Sequence, residues 1–311
     1  MSTAPSRAVA IINPSTRGNV ARIGELLQVA APASTRLDIY QTGYAGHAGE
    51  LARQHAPSAD LLIAVGGDGT VAEVAGAARG TMIPVGIIPG GSTNITAREM
   101  GIPTNIHLAA RLLFENHSIR TIDAGVCGDR IFLHMAGAGV DSLLFDLASA
   151  ALKRKLGWIA YLPAAIEALR RPLSRFTIQS DEMQIERVRS PMVLVANGSS
   201  IIAPMLQLDT RIRPDDGNLD VFVVTATRPD ELARVFARMA LRQMSGSPFV
   251  TAFTTRDVEI SADPQIAAQL DGDVFGTTPM RFTIDPGSIR IVVPRTDADV
   301  GWGRSSVFAR G

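Results

Sequence analysis

The sequence predicts an α/β protein of two domains: an N-terminal domain on a parallel sheet and a C-terminal, β-rich antiparallel sandwich with helical insertions. Three observations predict it. Apolar runs of strand length alternate with helical periodicity four times within the first ~100 residues, as in a helix-flanked parallel sheet. Near Thr121 the texture changes to short strands joined by polar turns, the pattern of an antiparallel sandwich. With 311 residues the chain exceeds one small core, so two domains are expected, 1–121 and 122–294, with 295–311 able to pack back on the first.

Ala8–Ile12 is a continuous apolar run, as expected of a strand buried on both faces, and it ends at Asn13-Pro14-Ser15-Thr16-Arg17-Gly18. A helix begins at about Asn19, with Val20, Ile23, Leu26 and Leu27 on one face. Leu37–Tyr40 is a second strand, closed by Gln41-Thr42-Gly43, and a helix runs from His47 to Arg53. Leu61–Val65 runs into Gly66-Gly67-Asp68-Gly69-Thr70 and then Val71-Ala72-Glu73-Val74, where Thr70 and Glu73 have capping-box spacing. Met82–Ile88 is the fourth strand, ending at Pro89-Gly90-Gly91-Ser92-Thr93-Asn94 before a short helix from Ile95 to Met100.

The second domain opens with Ile122–Val126, a Gly128-Asp129 turn and Ile131–Met135, a hairpin. Further strands are expected at Arg175–Gln179, Met192–Ala196, Leu219–Val224, Asp257–Ser261, Gln265–Leu270, Arg281–Ile284 and Ile289–Val293. Helices are expected at about Asp141–Ala150, Trp158–Arg170 and Pro229–Met244.

Composition removes several functions. Thirty basic residues balance thirty acidic ones, which argues against a broad basic surface for nucleic acid. The single cysteine, Cys127, leaves no intrachain disulfide and no thiolate metal site, and fits a reducing compartment. No apolar signal-peptide core follows the polar start and no run reaches the ~18 apolar residues of a membrane span. The expectation is a cytoplasmic protein that meets a membrane, if at all, at its surface.

In a parallel sheet the loops at the carboxyl ends of the strands line the ligand crevice. The loops at Asn13–Gly18, Thr42, Gly66–Thr70 and Gly90–Asn94 should therefore face one another. A strand that stops at glycines and re-enters as a helix presents free N–H groups, which favour phosphate. Asp68 is out of place beside phosphate unless a divalent cation sits between them or the carboxylate holds neighbouring amides. Thr93 and Asn94 could donate to phosphates or could serve as ordinary helix caps. Asp271-Gly272-Asp273 offers a general base but is also a favoured hairpin turn. Asp215-Asp216-Gly217-Asn218 could hold a hard cation or form a polar turn. Lys153–Tyr161, running on to Arg170-Arg171, is a basic-aromatic cluster suited to anionic headgroups, or equally a solvated helix end. The five histidines have no ligand spacing, and no Walker-type phosphate loop occurs.

The order Asn13-Pro14…Gly18, Gly66-Gly67-Asp68-Gly69-Thr70, Pro89-Gly90-Gly91-Ser92-Thr93-Asn94 and Asp271-Gly272-Asp273 resembles the diacylglycerol kinase catalytic-domain family. That family includes bacterial diacylglycerol-type, sphingosine and ceramide kinases. Thr42-Gly43…Gly46-His47-Ala48, Asp123, Ala196-Asn197-Gly198 and Asp215–Asp220 add to the resemblance, which spans nearly the whole chain.

The resemblance implies ATP-dependent phosphoryl transfer to a lipid hydroxyl. It places ATP between the domains, with Asn13, Thr42, Gly66, Gly67, Asp68, Gly69, Thr70, Val71, Ala72, Thr93, Asn94, Gly272 and Asp273 as its expected contacts. It makes Asp68 an organiser of Mg2+ and phosphate, and Asp271 the proton acceptor. A structural Mg2+ would sit at the acidic turn, on Asp216 and backbone oxygens near Arg213 and Asn218. The partners implied are a lipid and, transiently, a membrane surface. The sequence departs from the pattern at Ile95, where relatives carry an acidic residue, at Asp273 in place of glutamate, and at Ser199-Ser200 in place of glycines. Its Gly-Ser-Thr at 91–93 is more like ceramide-kinase-type members. A kinase of a soluble acceptor such as NAD, and a non-catalytic nucleotide- or lipid-binding regulator, are the alternatives.

Overall fold

The computed structural model describes residues 4–16, 19–139, 173–200 and 207–295. Two compact units result: Met1–Thr121 with Ile289–Gly311, and Ile122–Ser288.

In the first unit four strands lie parallel in the order β2 (Arg36–Gln41), β1 (Arg7–Ile12), β3 (Leu61–Gly66), β4 (Val85–Pro89). The central strands β1, β3 and β4 are continuous apolar runs because helices cover both faces of the sheet. The register sets where the strands end. Ile12 lies opposite Gln41 and Val65, and Gly66 lies opposite Pro89, so all four strands stop at one level and release their loops at one edge. Helix α1 (Val20–Ala30) starts at Asn19, whose side chain accepts from the Ala21 amide, and it buries Ile23 and Leu27. Helices α2 (His47–His55), α3 (Asp68–Ala78), α4 (Ile95–Glu99) and α5 (Ile106–Leu112) complete the unit. The expected Met82–Ile88 strand starts only at Val85; Met82 is exposed before it, and α5 carries too short a periodicity to stand out in the sequence.

The strand β5 (His117–Cys127) carries the chain to the second unit, where β6 (Arg130–Phe132) turns back on it. The expected strand Ile131–Met135 is divided. Leu133 and His134 form a link, and β7 (Met135–Gly139) enters a different sheet. The remaining strands are β8 (Arg175–Ser180), β9 (Gln184–Arg189), β10 (Met192–Ala196), β11 (Leu219–Val224), β12 (Val250–Thr255), β13 (Asp257–Asp263), β14 (Ala267–Leu270), β15 (Asp273–Thr277) and β16 (Met280–Pro294). One antiparallel sheet runs β12-β11-β10-β7-β14-β15. In the other, the start of β16 pairs with β13, then β8 and β9. The two strands expected at 281–284 and 289–293 are thus one, and β9, β12 and β15 have no counterpart among the expected strands. Sheet edges need no apolar run, and β9 and β15 are exposed along most of their length.

Val193, Val195, Val221, Phe176, Ile178 and Phe282 fill the space between these two sheets. The alternate residues Met192, Leu194, Phe222 and Val224 face helix α6 (Pro229–Ala240), which presents Leu232, Val235, Phe236 and Met239 at helical spacing. Strand β10 is therefore buried on both faces, which explains its unbroken apolar sequence. An N-terminal parallel-sheet domain followed by an antiparallel sandwich matches the fold class expected. The helices expected at 141–150 and 158–170, the basic-aromatic cluster and the final stretch lie outside the described residues, as do Arg17 and Gly18.

Candidate active site

In the first unit the four loops come together at the common edge of the sheet. The Asn13 side chain donates from Nδ2 to Thr70 Oγ1 at 3.2 Å, while its Oδ1 accepts from the Ser15 amide at 2.9 Å. The Gly90 amide donates to Gly66 O at 2.8 Å, and the Thr42 amide to Ile12 O at 3.0 Å. A Cβ on Gly91 would lie 2.6 Å from Gly67 Cα, and one on Gly66 would lie 2.5 Å from Thr70 Oγ1. These glycines exist because the loops pass too closely for any side chain. An open cavity of about 260 Å³ is bounded by Asn13, Thr42, Tyr44, Thr70 and Glu73.

Helix α3 starts within this cluster. Gly67 is its N-cap and gives no side-chain cap; the Val71 amide is the first to reach back, to Gly67 O at 3.1 Å. Helix geometry leaves the amides of Asp68, Gly69 and Thr70 ahead of it turned outward, a concentration of donors suited to an anion. Of the expected contacts, Val71 is buried with its amide already engaged, and Ala72 is partly buried on the helix.

The Asp68 carboxylate holds neighbouring groups, as one of its two readings expects. Its Oδ1 accepts from the Thr96 amide at 3.0 Å and the Thr96 hydroxyl at 3.2 Å, and Oδ2 accepts from the Thr93 hydroxyl at 3.0 Å. Asp68 thus holds the first turn of α4, with one lone pair of Oδ2 left over. Asn94, in the left-handed region at φ 50°, closes its own turn: Oδ1 accepts from Gly91 N at 2.8 Å and Nδ2 donates to Gly91 O at 2.9 Å. The capping box expected between Thr70 and Glu73 does not form. Glu73 reaches across to α2 instead, accepting from the amides of Gly46, Ala48 and Gly49 at 2.9, 3.0 and 3.3 Å. Gly46 sits at φ 90°, so α2 has no capping side chain of its own. The helix dipole makes a carboxylate the favoured substitute.

In the second unit Asp271 and Gly272 form the two-residue turn between β14 and β15, both at positive φ (49° and 95°), as Asp-Gly hairpins require. The hairpin reading is correct, and the turn also aims a carboxylate. Oδ2 accepts from Leu133 N at 2.7 Å, and Oδ1 from His134 N and Met135 N at 2.9 and 3.0 Å. The Asp271 amide returns a bond to Met135 O at 2.8 Å. Burial pushes the Asp271 carboxyl above the usual range, opposed by His134 and the three amides. Three donors occupy both lone pairs of Oδ1 and one of Oδ2, so Oδ2 keeps one place for a proton. Gln269, fully buried, accepts the Gly272 amide at 2.7 Å. Asp273 is exposed at the start of β15.

The link that holds Asp271 is itself held. Asn197, fully buried, donates from Nδ2 to Leu133 O at 2.9 Å and Asp123 O at 3.1 Å; the amides of Asn197 and Gly198 donate to His134 O. The Asp123 carboxylate, 3% exposed, accepts from Gly217 N and Gly287 N, each at 2.7 Å. It thereby anchors the acidic turn. There the Asn218 amide donates to Asp216 Oδ1 at 3.0 Å, and the Arg213 guanidinium meets Asp215 at 3.2 Å. Burial pushes the Asp216 carboxyl up, with Asp123 and Asp215 adding like charge. Asp220, nearby in β11, is pushed up to about 6 by burial. Among the described residues no group of three or more His, Cys, Asp or Glu side chains forms a metal cluster.

The comparisons with known proteins fall on these two units. The profile described as the diacylglycerol kinase catalytic domain matches residues 7–127, and that of the YegS C-terminal NAD kinase β-sandwich-like domain matches residues 134–293. The chain belongs to the diacylglycerol kinase catalytic-domain family. It is 29% identical over 311 residues to the diacylglycerol kinase of Bacillus subtilis strain 168, covering 94% of this chain and 98% of that protein. It is 30% identical over 240 residues to the uncharacterised protein sll0036 of Synechocystis, of whose length the match covers 55% and of this chain 75%. A crystal structure from Bacillus anthracis has a TM-score of 0.78 at 25% identity, covering 94% of this chain and 97% of that one.

The family is one of diacylglycerol and related lipid kinases, and kinase is the enzyme class of this member. Its Gly-Gly-Asp-Gly-Thr block brings a helix N-terminus and three other loops together, and its Asp-Gly-Asp block aims one carboxylate. Sequence reasoning missed Thr96 and Gln269, and it paired Glu73 with Thr70 instead of with α2. Their partners lie in other elements, and no spacing rule links them. Ile95 is buried at the start of α4, and Thr96 beside it meets Asp68.

Proposed function

We propose that this kinase transfers the γ-phosphoryl group of ATP to the hydroxyl of a lipid: diacylglycerol, a sphingoid base or ceramide. The observation that carries the reading is the meeting of four strand-end loops at the N-terminus of α3. Phosphoryl transfer demands positioning and charge stabilisation, and outward-turned amides supply both. In this reading the amides of Gly67 to Thr70 receive the phosphates, the Asn13, Thr42, Thr93 and Asn94 loops enclose them, and Val71 and Ala72 shape the helix beneath. Gly272 lets the turn present Asp271, and Asp273 borders it.

Asp271 acts as proton acceptor for the attacking hydroxyl, through the free place on Oδ2. A carboxylate pushed up by burial is better matched to that task than an ordinary one. Asp68 fixes the α4 turn against the phosphate loops, and its remaining Oδ2 lone pair faces no donor among the described residues.

The residues fit Mg2+ as hard oxygen donors. At the acidic turn Asp216 Oδ2, with carbonyls near Arg213 and Asn218, would hold the ion, and like charge from Asp123 and Asp215 is what a divalent cation offsets. When bound, the ion would supply charge neutralisation. No helix among the described residues is long and apolar enough to cross a membrane. In this reading the enzyme visits the lipid surface from the cytoplasm.

The test is transfer of label from γ-labelled ATP to a panel of diacylglycerol, monoacylglycerol, phosphatidylglycerol, sphingosine and ceramide, followed by solvent extraction. Label in the organic phase with one or more lipids is expected. Label confined to water with a soluble acceptor would overturn the lipid assignment.

A further inference from the structure

Tyr44 stands at the edge of the cavity that Asn13, Thr42 and Thr70 also bound. Aromatic rings normally turn inward, yet this one is 59% exposed. Its ring is nonetheless fixed. One face stacks on His47 with centroids 4.4 Å apart and planes 3° from parallel, and the phenol donates to Glu50 Oε2 at 2.6 Å. His47 is fixed in turn by the Gly43 amide, which donates to its Nδ1 at 3.0 Å. The bond to Glu50 also pushes the Tyr44 phenol up, so the hydroxyl stays a donor.

A rigid ring with one face covered and the other open beside a phosphate-binding edge is a stacking surface. We infer that the open face of Tyr44 stacks against the base of the bound nucleoside triphosphate, with the phosphates directed to the α3 N-terminus. The inference rests on the proposed ATP reading and adds a specificity-determining residue to it. Pre-orientation by His47 and Glu50 removes most of the ordering cost that a free tyrosine would carry on binding. Every base has a π face, so the platform selects for a base and against none in particular; purines gain most because they cover more of the ring.

The experiment titrates ADP and inorganic tripolyphosphate, separately, into the full-length protein by calorimetry. Both share phosphate chemistry, and only one carries a base. Tyr44→Ala is expected to weaken ADP about ten- to a hundredfold while leaving tripolyphosphate within about twofold. Tyr44→Phe is expected to retain ADP binding, since the ring remains. Equal affinity of wild type and Tyr44→Ala for ADP overturns the platform alone. An equal loss of both ligands overturns it too, by showing that Tyr44 shapes the phosphate site. Failure of wild type to bind ADP at all overturns the ATP reading, and the platform with it.

Discussion

Replacing Asp271 by asparagine reverses the hydrogen-bonding sense of one atom in a cradle of three amides. The wild-type carboxylate takes the amides of His134 and Met135 on Oδ1 and that of Leu133 on Oδ2 at 2.7 Å. Asparagine keeps its oxygen on the first two, and its NH2 group then faces the Leu133 N–H, donor against donor. A hydrogen bond to a charged group contributes about 1.5–3 kcal/mol, and an unpaired buried donor costs about 1–3 kcal/mol. The two figures overlap, and relief of the buried charge works against them, so the net loss is set at about 2 kcal/mol. For a unit of this size that lowers the melting temperature by roughly 4–8 °C. Under the proposed proton-acceptor role, the same substitution is expected separately to lower the rate by about 10²–10⁴-fold. The assay pairs a thermal melt with initial rates of ATP-dependent lipid phosphorylation at a temperature where both proteins are folded. A melt within about 1 °C of wild type would refute the amide cradle. A rate within a fewfold of wild type would refute the proton-acceptor role.

Two further predictions concern the acidic region of the second unit. Asp220, with a folded pKa of about 6 and an unfolded value near 3.8, holds a proton between those pH values that the unfolded chain has lost. Stability should therefore fall as pH rises from about 4 to 6, and Asp220→Asn should flatten that limb in EDTA and stabilise the protein at pH 7 by about 1 kcal/mol after solvent screening; an unchanged limb in pH-dependent urea melts counts against it. Adding millimolar Mg2+ to EDTA-treated protein should raise the melting temperature of wild type and not of Asp216→Ala, and equal rises in both would move the cation elsewhere.

Much of the first unit is legible locally. A parallel strand buried on both faces needs an unbroken apolar run, so Ala8–Ile12 and Leu61–Val65 announce themselves, and Asn13-Pro14 and Gly66-Gly67 mark where they end. That the four loops share an edge is also implied by the alternation of strand and helix. The second unit is less legible where it matters. Asp271-Gly272 reads as a turn before it reads as a site, because a type I′ turn and a carboxylate held by amides use the same two residues.

Element order, the chemistry gathered at the strand ends and the family are all written in the order of the residues. Which donors each carboxylate holds is settled by the folded chain and nothing less. Glu73 caps a neighbouring helix and not its own, Asp68 grips Thr96 rather than standing free, and Asp271 rests on amides 136 to 138 positions away. Hydrogen bonds act over about 3 Å in space, and no residue pattern records which distant amide the folded chain will bring within that reach.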